Sequence, residues 1–135
     1  MEREVLWTGI GGQGVQLAAQ VLARAAVAEG REVTLLGTYG GTMRGGNTDA
    51  CVIAADAPIR TPPIVSHAWA ALAMHDRFFA PTAERLHDGS LVFAEASLFA
   101  APPPHPGVRV VAVDALATAA EAGSAQAAAL VLAAA

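Results

Sequence analysis

The stretch "EVLWTGIGGQGVQLAAQVLARAAVAEGREVTLL", residues 4–36, restricts the fold of this 135-residue chain more than any other. A short apolar run, "EVLWTGI", leads into a glycine-rich turn, and the residues behind the turn carry helical spacing. Ala18, Val21, Leu22 and Ala25 share one face, while Gln16, Gln20 and Arg24 share the other. Gly30 ends the helix, and "EVTLL" at 32–36 reads as a second strand that a right-handed crossover lays parallel to the first. The opening is a βαβ unit.

The remainder continues the alternation. "DACVIAAD", "AWAALAM", "SLVFAEA" and "VRVVAVDA" read as further strands, and "DRFFAPTAERLHDG" reads as a helix with Asp76 at its cap, Gly89 past its end and Pro81 limiting its start. Proline-rich "APIRTPPIV" and "APPPHPG" are connections. The terminal "ALATAAEAGSAQAAALVLAAA" is alanine-rich helix broken at Gly123-Ser124, with Ser124 placed to cap a second segment; it ends without a stop signal, as expected of a chain cut short or one whose remainder packs elsewhere. Together these predict one domain over residues 1–135: an α/β, Rossmann-like three-layer sandwich with a mostly parallel sheet and incomplete C-terminal helices.

Gly9, Gly11 and Gly14 fit the spacing G-x-G-x-x-G, which lets a phosphate approach the N–H groups and positive dipole end of the following helix. An anion site at Gly11–Gly14 follows from that reading. A nicotinamide dinucleotide also needs an acidic residue at the end of the second strand to hold its ribose, and no Asp or Glu lies between Val33 and Arg44. The phosphate half of the pattern is present and the ribose half absent. Close helix-on-strand packing without a ligand would also explain the glycines. Gln13 points the other way, because a long amide at the tip of a tight turn is expected to face solvent, a ligand or another chain.

A second glycine-rich loop, "YGGTMRGGN", places Arg44 between flexible flanks. In an open α/β sheet both loops fall at the carboxyl ends of strands, the edge where such sheets bind ligands, so the two should meet at one crevice. Arg44 there can hold a phosphate or carboxylate with two parallel hydrogen bonds. Tyr39, the single tyrosine, lines the crevice or packs on the first helix. Asn47 and Thr48 bond a ligand or their own backbone. His75 with Asp76, and Glu95, end strands at the same edge. Phe78, Phe79 and Trp69 read as core or subunit interface.

Composition removes several chemistries. The chain has no lysine, hence no P-loop lysine and no Schiff base. Its formal charge of −4, without a basic run, gives no attraction for nucleic acid. Cys51 is the single cysteine and reads as a core thiol; one cysteine cannot build a four-cysteine cluster site. His67, His75, His87 and His105 show no i, i+4 pair and no metal-ligand spacing, so no metal is expected. The chain is 54% hydrophobic, yet its longest apolar runs fall short of the ~20 residues of a membrane span. The N-terminus resembles no signal peptide, which makes the cytoplasm the default expectation.

The pairing of "GIGGQG" with the later "YGGTMRGG" resembles the gamma subunit, or gamma domain, of the 2-oxoacid:ferredoxin oxidoreductases, which act on pyruvate, 2-oxoglutarate, branched-chain 2-oxo acids or indolepyruvate. The likeness is clearest from Val5 to Phe99, and Gly41-Thr42-Met43 departs from the more polar or acidic spacer usual in the family. The resemblance implies an accessory subunit of a complex that oxidatively decarboxylates a 2-oxo acid to its acyl-CoA. That complex would use thiamine diphosphate, magnesium, iron–sulfur clusters and coenzyme A, with ferredoxin as acceptor. This chain would carry no catalytic residue and no redox centre; its partners would be the thiamine-diphosphate and iron–sulfur subunits. Gly9, Gly11, Gly12, Gln13, Gly14, Tyr39, Gly40, Arg44, Gly45 and Gly46 would form a site for a coenzyme A phosphate or for a partner chain. A stand-alone nucleotide-binding dehydrogenase domain and a non-catalytic scaffold are the rival readings.

Overall fold

The computed structural model describes all residues except 40–45, 61, 101–102, 104–105 and 125–126. Six strands form one sheet. In chain order the elements are β1 (Glu2–Ile10), α1 (Val15–Ala28), β2 (Glu32–Tyr39), β3 (Asn47–Ala55), β4 (Ala68–Ala73), α2 (Ala80–Ala83), β5 (Leu86–Glu95), β6 (Arg109–Val113), α3 (Ala115–Glu121) and α4 (Ala128–Ala133). The strand order is β2-β3-β1-β4-β5-β6. The pairs β1/β4, β4/β5 and β5/β6 are parallel, while β3 runs antiparallel to both β1 and β2.

The expected βαβ unit is present with one modification. β1 and β2 point the same way, but β3 lies between them, returning from β2 through residues 40–46 and pairing with β1 along its whole length from Glu2↔Ala55 to Ile10↔Asn47. The sheet is therefore mostly parallel with an antiparallel section at one side.

One face carries α1, α3 and α4 over Val5, Trp7, Val52, Leu72 and Met74. The side chains that α1 buries are small, Val15, Ala18, Ala19 and Ala23, so the helix sits close on the sheet. Val21 and Ala25 are exposed, which rotates the buried face away from the sequence expectation. The other face packs Leu6, Ile53, Ala71, Val92 and Ala94 against Val65, Phe79 and Phe99, supplied by connecting chain and α2.

The expected helix over "DRFFAPTAERLHDG" shrinks to the single turn Ala80–Ala83, with Pro81 in its first turn, where the missing N–H costs nothing. β5 begins at Leu86, inside the expected helix, because the alternation of Leu86, Ser90, Val92 and Ala94 buries one side of a strand. The break at Gly123, φ +91°, is as expected. Among the described residues no side chain caps α4, and the Ser124 carbonyl accepts from the Ala127 N–H. Phe79 is core, Trp69 is partly exposed under Arg3, and Phe78 lies beside Arg77. Among the described residues no helix is long and apolar enough to cross a membrane.

Candidate functional site

The carboxyl ends of β1 and β2 lie at one edge of the sheet, and the glycine turn of residues 11–14 leaves β1 there. Tyr39 ends β2 opposite Thr48, and Asn47 stands opposite Ile10. The glycine turn meets the described end of the second glycine loop: the Gly11 N–H donates to the Gly46 carbonyl at 2.9 Å. Gly12 and Gly14 have φ of +95° and +80°, left-handed values that only glycine adopts without strain, and they turn the chain into α1. No side chain caps α1. A groove of about 450 Å³ opens over the turn, bounded by Gly11, Gly12, Gly14, Gln16, Leu17 and Thr48.

The turn's donors divide into spent and available. Gly11 N–H is used by Gly46, and Gln13 N–H reaches the Ile10 carbonyl at 3.3 Å. The N–H groups of Gly12, Gly14, Val15, Gln16 and Leu17 meet no acceptor among the described residues, which leaves the positive end of α1 open to an anion. A Cβ built on Gly12 would meet nothing within 4 Å among the described residues.

Gln13 overturns its expectation. Its half-buried amide is engaged within the chain: Oε1 accepts from the Ile10 N–H at 2.8 Å and Nε2 donates to the Met74 carbonyl at 3.4 Å. The side chain staples the turn to β1 and to the end of β4. Gly9 is required by the same packing, since a Cβ there would lie 2.8 Å from both Gln13 Oε1 and Val15 Cγ2. For these two residues the packing explanation holds.

Gly40, Arg44 and Gly45 lie outside the described residues, as does the side chain of Tyr39. His105 is outside them too. Asn47 Nδ2 donates to Asp49 Oδ2 at 2.9 Å, so Asn47 engages a neighbouring side chain rather than its own backbone. The remaining oxygens, Asn47 Oδ1 and Asp49 Oδ1, are buried without a donor among the described residues. Thr48 faces the groove.

Helical spacing puts Gln16 on the face with Gln20 and Arg24, opposite the apolar stripe, yet its side chain is engaged. Its Nε2 donates to the Asp49 carbonyl at 2.6 Å, and its amide crosses β2 where a Cβ on Gly37 would collide with it. An isolated glycine inside a strand signals such close approach, and Gly37 is that signal.

Two other edge residues serve the scaffold. His75 Nδ1 accepts from the Arg77 N–H at 3.0 Å. Glu95, 1% exposed, receives the Ser97 hydroxyl (2.6 Å) and N–H (3.0 Å) on Oε1 and the Leu116 N–H (2.8 Å) on Oε2. Burial pushes its carboxyl pKa up, but these bonds and one from the Ala115 N–H outweigh burial and hold it below the ordinary 4.5. Cys51 is half-buried on the face opposite α1, beside a cavity of about 290 Å³ that also touches Asp49, Thr82 and Arg85. Burial pushes its thiol up to about 11, against the lowering effect of Arg85 and with a small push from Glu4.

Comparisons with known proteins place the chain in a family and a fold. The family described as pyruvate ferredoxin/flavodoxin oxidoreductase matches residues 4–135. The 2-oxoglutarate synthase subunit KorC of Methanocaldococcus jannaschii is 36% identical over 66 residues, 48% of this chain and 35% of that protein, so the match spans about a third of that relative. The gamma subunit of a keto/oxoacid ferredoxin oxidoreductase from Geobacter sulfurreducens superposes with a TM-score of 0.74 at 24% identity, over 94% of this chain and 70% of that one. A 2-oxoglutarate:ferredoxin oxidoreductase from Magnetococcus marinus, solved with 2-oxoglutarate, coenzyme A and succinyl-CoA bound, gives 0.83 at 18% identity, over 95% of this chain and 22% of that one. Pyruvate oxidoreductase subunit PORC of Thermotoga maritima gives 0.69 at 21% identity, over 89% and 66%. At these identities the structural likenesses establish the fold.

Proposed function

We propose, from the premise that the chain belongs to the pyruvate ferredoxin/flavodoxin oxidoreductase family, that it is the gamma-type component of a complex oxidatively decarboxylating a 2-oxo acid to its acyl-CoA. Its own task is to hold an anionic group of coenzyme A. The observation that carries this reading is the Gly11–Gly46 bond, which ties the glycine turn at the N-terminus of α1 to the end of the second glycine loop. A phosphate fits there: the free N–H groups of Gly12 and Gly14 and of the first helical turn would hold it, and no Cβ obstructs Gly12. Arg44, from the loop between Tyr39 and Gly46, would supply the positive charge that the backbone lacks. The similar enzyme from Magnetococcus marinus was captured with coenzyme A, which supports this choice of anion.

Thiamine diphosphate with its magnesium and the iron–sulfur clusters belong, in this reading, to partner subunits, because one cysteine cannot ligate a cluster. Ferredoxin would be reduced by the complex, in the cytoplasm. Bound coenzyme A supplies the thiol that accepts the acyl group; this chain's residues only bind and orient it.

The test is Arg44→Ala in the assembled complex. Losing one charge-assisted contact of ~1.5–3 kcal/mol should weaken the coenzyme-A-dependent step by roughly 10- to 150-fold. Release of carbon dioxide and single-turnover reduction without coenzyme A should persist. Unchanged coenzyme A kinetics would instead favour the scaffold reading, to which the inward-turned Gln13 already lends some weight.

A further inference from the structure

At the opposite edge of the sheet, where the parallel strands begin, two histidines twenty residues apart in sequence come together. The Ala68 N–H donates to the Arg85 carbonyl at 2.8 Å and Ala68 pairs with Leu86, which sets His67 beside His87. Their ring centres are 5.7 Å apart, with the planes inclined at 51°. The buried Ser90 hydroxyl holds the junction, accepting from the His87 N–H at 3.0 Å and donating to the Ala68 carbonyl at 2.6 Å.

The ring nitrogens are sorted by their neighbours. His87 Nδ1 lies 2.8 Å from the Asp88 carbonyl, which can only accept, so Nδ1 carries the proton and Nε2 keeps its lone pair. His67 Nδ1 lies 3.0 Å from Ser66 Oγ, which can accept in the same way. A ring whose one nitrogen donates to a carbonyl or hydroxyl while the other keeps its lone pair is competent to bind a metal. The spacing agrees: with metal–nitrogen bonds of about 2.0–2.1 Å, two imidazoles on one ion have centres about 5.2 Å apart at a tetrahedral angle and about 6.4 Å apart when opposed. The observed 5.7 Å lies between. Glu2 and Glu4 line a cavity of about 230 Å³ with His67 and add negative charge on the approach.

We infer that His67 and His87 form a two-histidine site for a borderline divalent transition ion of the zinc, nickel or copper class, bound through Nε2 of each ring. No group of three or more His, Cys, Asp or Glu suited to a metal occurs among the described residues, so water completes the coordination. Such an ion would clamp the starts of β4 and β5. Sequence spacing could not reveal the pair, because it forms across strands rather than along a helix.

Calorimetric titration of the purified chain, with whatever subunits co-purify, tests the site using zinc alone. Expected is one zinc per chain at micromolar affinity, weakened about ten-fold or more in His67→Ala and in His87→Ala, and unchanged in His75→Ala. Magnesium, a hard ion, should not compete. A second measurement needs no variant: zinc should protect His67 and His87, but not His75, from diethyl pyrocarbonate. Absence of zinc binding, binding that survives either single substitution, equal competition by magnesium, or no selective protection would overturn the site.

Discussion

Gly9 and Gln13 form a matched pair. The amide of Gln13 occupies the volume that a side chain on residue 9 would need, and in that position it serves the Ile10 N–H and the Met74 carbonyl. Gly9→Ala should therefore destabilise by about 1–3 kcal/mol through overpacking. Gln13→Ala should cost a similar ~1–3 kcal/mol, because it leaves a buried N–H without its acceptor. Gly12→Ala meets no atom, and its penalty of ~1–2 kcal/mol is purely the left-handed backbone at φ +95°. Chemical denaturation of the three variants checks this, and the double variant Gly9→Ala/Gln13→Ala separates the two mechanisms. Removing the amide relieves one of the two close contacts, leaving that with Val15 Cγ2, so the double variant should cost less than the sum of the singles. Additive costs would sink the matched-pair account.

At the scale of elements, α3 shows how a short helix is held. Asp114 precedes it but makes no side-chain cap, and Glu95 from the end of β5 receives the N–H groups at the helix start instead. Because the folded carboxyl has a lowered pKa, its stabilisation is complete above the unfolded-state value and is lost as pH falls through the folded value. Glu95→Gln should thus lower stability by about 1–3 kcal/mol at neutral pH. It should also flatten the acid limb of the stability profile. Urea midpoints at pH 7 and pH 4 measure both effects; parallel pH slopes for variant and wild type would refute the role of the charge.

The whole molecule leaves apolar side chains on its surface. Leu17 (54% exposed), Val21 (46%) and Val27 (59%) project from α1, and Leu35 and Leu36 lie on β2, whose outer edge has no neighbouring strand. An unpaired edge beside exposed leucines invites association. The chain expressed alone should self-associate at micromolar concentration, and Leu17→Glu with Val21→Glu should shift it toward monomer in sedimentation. A well-behaved wild-type monomer with a sharp unfolding transition would count against a covered surface.

Much of this architecture is local and was readable in the residues. The strand–turn–helix opening follows from the apolar run, the glycines and the 3.6-residue spacing behind them, and the approach of Gly46 to Gly11 follows from the direction of the strands. Arg44 was legible as a candidate only through its flanking glycines, and it lies outside the described residues. The rest required tertiary structure. Whether β3 entered beside β1 or at the edge depended on which order buried both sides of Val52 and Ile53, a choice made across dozens of residues. The same holds for the helical reading of residues 76–89, where burying alternate side chains of β5 against β4 outweighed local helical preference. Gln13 turned inward because the end of β4 brought the Met74 carbonyl within reach, and His67 met His87 because parallel pairing aligned two distant strand starts. Turn geometry and helix spacing are nearest-neighbour properties that a sequence carries directly; strand order and long-range partners depend on closing the whole sheet, and only the folded chain decides them.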